Sequence, residues 1–207
     1  MDDLVNIFKD TKADFVFLGF ERWLPVPASL ENINPKILGA FIDAPGFSKN
    51  HVKSLIKKSG YSYGQLRDSI VSIKKEIPNI IIVGGIYAQK VNMIEQNDIT
   101  GKIYDSQATQ NMALDPKKFR VDSSKEQIQQ KLKKFFCLKS ADYPDITNPN
   151  FQELLLSWAE KQIDEGVDAI WIDALFSQVR VFEKITGDAN NPAVKESYDA
   201  ASKIVKE

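Results

Sequence analysis

Cysteine and histidine each occur once in this chain of 207 residues, as Cys137 and His51. A lone cysteine excludes an intrachain disulfide and a thiolate metal cluster. A lone histidine leaves too little material for a histidine-rich zinc site, and any Ser-His-Asp triad would have to run through His51. That residue sits in the helix-like run 48–59, where a solvent-facing imidazole is the ordinary outcome. Net charge is scarce as well: 27 basic and 28 acidic residues leave −1, which gives no electrostatic footprint for nucleic acid or an anionic membrane. The lysines at 131, 133 and 134 read as a solvated helix face. No apolar run approaches the roughly 18 residues of a membrane span, and the acidic, amphipathic start MDDLVNIFKD is unlike a signal peptide. With 43% hydrophobic residues, the expectation is a globular, cytoplasmic protein, one domain over residues 1–207, without metal or cofactor.

What the chain does have is alternation. Residues 14–20 (DFVFLGF), 37–43 (ILGAFID) and 79–87 (NIIIVGGIY) are short, nearly continuous apolar runs, as parallel strands covered on both faces should be. Between them, Ser48 can cap a helix that ends at Gly60. Ser62 and Gln65 have capping-box spacing before Leu66, Ile70, Ile73 and Ile77. From 88 to 143 the pattern weakens. Residues 110–115 (QNMALD) read as a short strand ending in a carboxylate, and 124–136 as a lysine-rich helix opened by a serine cap. Gly84-Gly85 is no phosphate loop, because a third glycine is missing and Ile86-Tyr87 follows where a helix should begin.

The most specific stretch is 144–174. Asn148 can cap a helix with Pro149 at its first position, and Gly166 supplies the left-handed stop. Phe151, Leu154, Leu155, Trp158, Ala159, Gln162 and Ile163 recur at helical spacing and mark a face for burial. The apolar strand 167–174 follows, with Ala169, Trp171 and Asp173 on one face by its period of two. Asp173 therefore stands at the carboxyl end of a strand, where parallel sheets and barrels bind ligands. The bland alternative is a carboxylate that caps the next segment or pairs with a lysine. A loop at 175–180, residues 181–186 and a final helix over 192–206 complete the reading.

This order implies an α/β fold with right-handed crossovers. The Asn-Pro helix start, the Gly-Val-Asp at 166–168 and the apolar strand ending in Asp173 resemble barrel-type glycoside hydrolases, especially glycosidases similar to endo-alpha-1,4-polygalactosaminidase. A related pattern occurs in the alpha-amylase class, from which Trp171 departs by standing where an arginine neighbours the nucleophile. The resemblance is sharp over 144–174 and looser over the first three strands. It implies a (β/α)8 TIM-barrel type of fold, an α/β architecture of which this chain supplies four to five βα units. That count leads to the expectation of a chain truncated at its C-terminus, with an open sheet edge available for self-association. It also implies a carbohydrate substrate at the strand ends. Glycoside hydrolysis needs two carboxyl groups, and Asp173, Asp43 and Glu21 are the strand-end candidates. Trp23 and Trp171 can stack on a pyranose ring and Tyr87 can donate a hydrogen bond, so these three are the candidate substrate contacts. Each has a bland alternative: Glu21 as a surface partner of Arg22, Asp43 as a turn former, Trp171 as barrel core. The rival class is a non-catalytic α/β module that binds a carbohydrate or another small ligand.

Overall fold

The computed structural model describes residues 2–18, 63–136, 138 and 141–207, and over them the chain is an α/β protein. The amphipathic start forms α1 (Asp2–Thr11), and the apolar run after it gives β1 (Phe15–Phe17). Helix α2 (Tyr63–Glu76) leads into β2 (Ile81–Tyr87), followed by the hairpin strands β3 (Glu95–Gln96) and β4 (Ile103–Tyr104). Next come α3 (Ser106–Met112), a 3-10 turn (Pro116–Phe119) and α4 (Lys125–Phe135). Helix α5 (Pro149–Asp164) delivers β5 (Ala169–Asp173), and α6 (Ser177–Thr186) and α7 (Pro192–Ile204) follow.

Strands β1, β2 and β5 form one small sheet in that order, and β1 runs parallel to β2 with Phe15 opposite Ile81 and Phe17 opposite Val83. The apolar runs at 79–87 and 167–174 thus become neighbouring strands. The strand expected at 37–43 and the helix expected at 48–59, with His51, lie outside the described residues, as do Ser62 and Cys137. In α2, the spaced residues Leu66, Ile70 and Ile73 are buried as their period requires.

The reading of 110–115 as a strand needs correction. Asp105 caps α3 by accepting from the Ala108 N–H at 2.9 Å, so residues 110–112 are the helix's last turn, with Thr109 and Met112 buried at a spacing of three. Asp115 does not end a strand. It caps the 3-10 turn that Pro116 opens, accepting from Lys117 N at 3.1 Å. The segment 175–186 likewise turns helical at Ser177, earlier than the loop reading placed it.

The chain divides into two compact units. The first is Met1–Ile86 with Trp158–Trp171, and the second is Tyr87–Ser157 with Ile172–Glu207. In the first, Val5, Tyr63, Leu66, Ile70, Ile73, Ile80, Ile82 and Val167 form the core. Gln162, a polar residue on the apolar face of α5, is fully buried there because its amide matches a peptide group. It donates to Gly85 O at 2.9 Å, and Gly85 N donates to it at 3.2 Å. A Cβ on Gly84 would collide with the Gln162 Oε1 and come within 3.1 Å of Val167 Cγ1. The glycine pair therefore makes room for a side chain. Ile163, expected on the buried face of α5, is 54% exposed instead.

Asp168 directly precedes β5 in the same unit. One of its carboxylate oxygens accepts from Ile82 N at 2.8 Å and the other from Lys74 Nζ at 2.6 Å. Desolvation pushes its pKa up, but the Ile82 N–H and the Lys74 ammonium outweigh this and hold the carboxyl below its ordinary value. Both oxygens are used, and the motif residue of 166–168 is a tie between strands.

The second unit packs around Leu114, Ile128, Leu132, Tyr143, Phe182 and Val194. Buried Gln129 donates to Leu114 O at 3.1 Å and Tyr143 O at 2.8 Å and accepts from Tyr143 N at 2.8 Å, extending a short bridge in which Leu114 N donates to Tyr143 O at 2.9 Å and Asp145 N to Met112 O at 2.7 Å. Asp145 is 2% exposed, and its Oδ1 accepts from Thr147 N, Thr147 Oγ1 and Gln178 Nε2 at 3.0, 2.8 and 3.2 Å. Gln178 extends the network to Ile146 N and to Ser197 of α7.

Candidate functional site

The site is delivered by α5 and β5. Asn148 Oδ1 accepts from Asn150 N at 3.0 Å and Phe151 N at 3.3 Å, so the side chain expected to cap the helix does so. Phe151, Leu154 and Leu155 are fully buried, and Gly166 at φ +105° ends the segment in a conformation open to glycine. β5 then runs from Ala169 to Asp173 at the carboxyl end of the strand.

Asp173 is partly buried and is held in three ways, all within the second unit. Its carbonyl accepts from Ala88 N at 3.0 Å. Its Oδ2 accepts from Gln89 Nε2 at 3.4 Å, the long end of hydrogen bonding, and its Oδ1 has no partner among the described residues. The third restraint is the backbone of the next residue. Ala174 has φ +56°, a left-handed conformation that costs an L-residue with a Cβ about 1 kcal/mol.

A relay secures that turn. Ser177 N and Ser177 Oγ both donate to Ala174 O, at 3.0 and 2.6 Å. A serine hydroxyl has one proton, so the 2.6 Å contact between Tyr143 and Ser177 must have the tyrosine hydroxyl as donor. Burial pushes the Tyr143 phenol well above its ordinary value, and that keeps the proton in place. Gln89 completes the arrangement at a cost: its Oε1 is closed from solvent and has no hydrogen-bond partner among the described residues. A strained alanine and an unpaired buried acceptor thus flank a carboxylate with one oxygen unengaged.

The other sequence-nominated residues fall into two groups. Tyr87 ends β2 and is partly buried, two residues before Gln89. Trp171, which belongs to the first unit, is 51% exposed and meets Phe17 edge-on, with centroids 6.2 Å apart at 84°, so core packing does not describe it. Asp43, Glu21 and Trp23 lie outside the described residues. Gln89, Ala174, Ser177 and Tyr143 were not singled out from sequence. Only the adjacency of β2 and β5 reveals that a residue just past one strand meets the end of the other.

Among the described residues, no group of three histidine, cysteine, aspartate or glutamate side chains is placed to hold a metal ion, and no helix is long and apolar enough to cross a membrane. No protein-family model and no curated protein matches the chain.

Proposed function

We propose that this protein is a glycoside hydrolase of the (β/α)-barrel type, its chain supplying four to five βα units, with a polysaccharide or oligosaccharide as substrate. Asp173 is its nucleophile or base. The observation that carries the reading is the state of that carboxylate: at the end of a strand, fixed by its own carbonyl, by Gln89 and by the Ala174 turn, with Oδ1 left for a substrate. Asp168, just before the opposite end of the same strand, spends both oxygens on structural contacts instead. Cleavage of a glycosidic bond needs a second carboxyl, protonated to assist the leaving oxygen, at about 5 to 10 Å from the first. Asp43 and Glu21 are its candidates, and Trp23, Tyr87 and Trp171 are the candidate contacts to the sugar.

The test is release of reducing ends from a panel containing α-1,4-linked galactosamine, α-1,4-glucan and β-1,4-glucan. Asp173→Asn is expected to lose on the order of a thousandfold in kcat, and Asp43→Asn or Glu21→Gln, whichever is the acid, on the order of a hundredfold or more. Equal activity in wild type and Asp173→Asn would remove Asp173 from the mechanism. Binding of an oligosaccharide by calorimetry, with no hydrolysis of any panel member, would identify a carbohydrate-binding module instead.

A further inference from the structure

We infer that Gln89 is a positioning residue for Asp173, holding Oδ2 through its amide N–H so that Oδ1 is the oxygen presented for reaction. The inference rests on the proposed hydrolase function and adds to it a residue and a choice of oxygen. Two observations carry it. Gln89 Nε2 reaches Asp173 Oδ2 at 3.4 Å, while Gln89 Oε1 is closed from solvent without a partner among the described residues. The amide cannot be turned over to relieve the second fact, because that would set a carbonyl oxygen against a carboxylate. A glutamine placed here for stability is a poor choice, since an apolar side chain of similar volume would bury no unpaired acceptor. What it supplies is a donor aimed at one oxygen of the strand-end carboxylate.

Three variants of the full chain separate this from a structural role. Gln89→Met keeps the volume and removes both polar atoms; its Tm should equal or exceed that of the wild type, while kcat falls about 10- to 100-fold, the range expected when a reacting group loses its orientation. Gln89→Glu keeps the shape but turns an acceptor towards Asp173, so kcat should fall at neutral pH and recover on acidification as the new carboxyl gains a proton it can donate. Asp173→Asn serves as the reference for complete loss. Should Gln89→Met lose Tm and keep kcat within about twofold while Asp173→Asn is inactive, the inference fails and the hydrolase reading stands. Should the wild type hydrolyse nothing on the panel, the functional reading fails, and the contact is read by NMR. The Gln89 side-chain amide resonances should then move on Asp173→Asn, and unchanged resonances would overturn the inference too.

Discussion

Two aspartates bracket β5, Asp168 just before its first residue and Asp173 as its last, and the two are opposites. At the amino end, Asp168 has both oxygens occupied, by Ile82 N and by Lys74 Nζ. At the carboxyl end, Asp173 has one oxygen held at 3.4 Å by Gln89 and the other unengaged among the described residues. A carboxylate with both oxygens engaged gains stability and loses reactivity, because neither oxygen is left without a partner for a substrate to approach. Asp145, buried with three donors on Oδ1 and Lys118 Nζ 4.0 Å from Oδ2, lies at the structural extreme. Ranking carboxylates by how fully they are satisfied separates the tie from the candidate more sharply than burial does: Asp168 is the more exposed of the β5 pair, yet it is the one that is fully engaged.

The largest effect should come from the most saturated group. Asp145→Ala strands Thr147 N, Thr147 Oγ1 and Gln178 Nε2 in a buried setting, so a loss of about 3 kcal/mol in denaturant unfolding is expected. Asp173→Asn, by contrast, should cost about 0.5 kcal/mol or less, since it removes no well-formed bond. If the two variants lose similar stability, the ranking by satisfaction is wrong.

Asp168 gives an intermediate effect with a pH signature. Its side chain is 38% exposed, and solvent screening limits the two contacts to about 1 kcal/mol together. Desolvation raises this carboxyl, but Ile82 N and Lys74 outweigh it and the folded value is lowered. A lowered carboxyl contributes its full stability above the unfolded value of about 4 and loses it as pH falls through the folded value. Asp168→Asn should therefore destabilise at neutral pH and converge on the wild type in acid. A difference that is flat across that window would show that the Lys74 and Ile82 contacts do not favour the ionised form.

Much of this frame was legible in the sequence, and the gaps have a common cause. Asn148, Pro149, Gly166 and the spacing of Phe151, Leu154, Leu155 and Trp158 act locally, and each fixed a boundary or a face that the fold uses. Ser124 likewise opens α4, accepting from Gln127 N at 3.2 Å. Residues 110–115 were misread because Met112, Ala113 and Leu114 suit a buried strand as well as the end of a short helix, and the Asp105 cap that decides between them lies outside that window. Gln129, Gln162 and Gln178 were invisible for another reason. A buried glutamine is specified by peptide groups far along the chain, which no local pattern encodes. The candidate site divides the same way: Asp173 stood out by its place on a strand, whereas Gln89 and the Tyr143–Ser177 relay needed β2, β5 and the segment before α5 to be in position.

The smallest and most diagnostic change is Ala174→Gly. Glycine adopts φ +56° without the clash that alanine pays, which favours the variant by about 1 kcal/mol, and its freer unfolded chain takes back part of that gain. A net rise of about 0.5 kcal/mol is expected from thermal or denaturant unfolding. Ser177 N and Oγ donate to the carbonyl of residue 174, so the turn's hydrogen bonds survive the substitution, and only the stiffness next to Asp173 is lost. If strain at the strand end serves to hold the carboxylate, kcat should drop a few-fold while stability rises. If stability rises with kcat unchanged, Ala174 is simply a costly turn residue, and the positioning of Asp173 belongs to Gln89 and Ala88 alone.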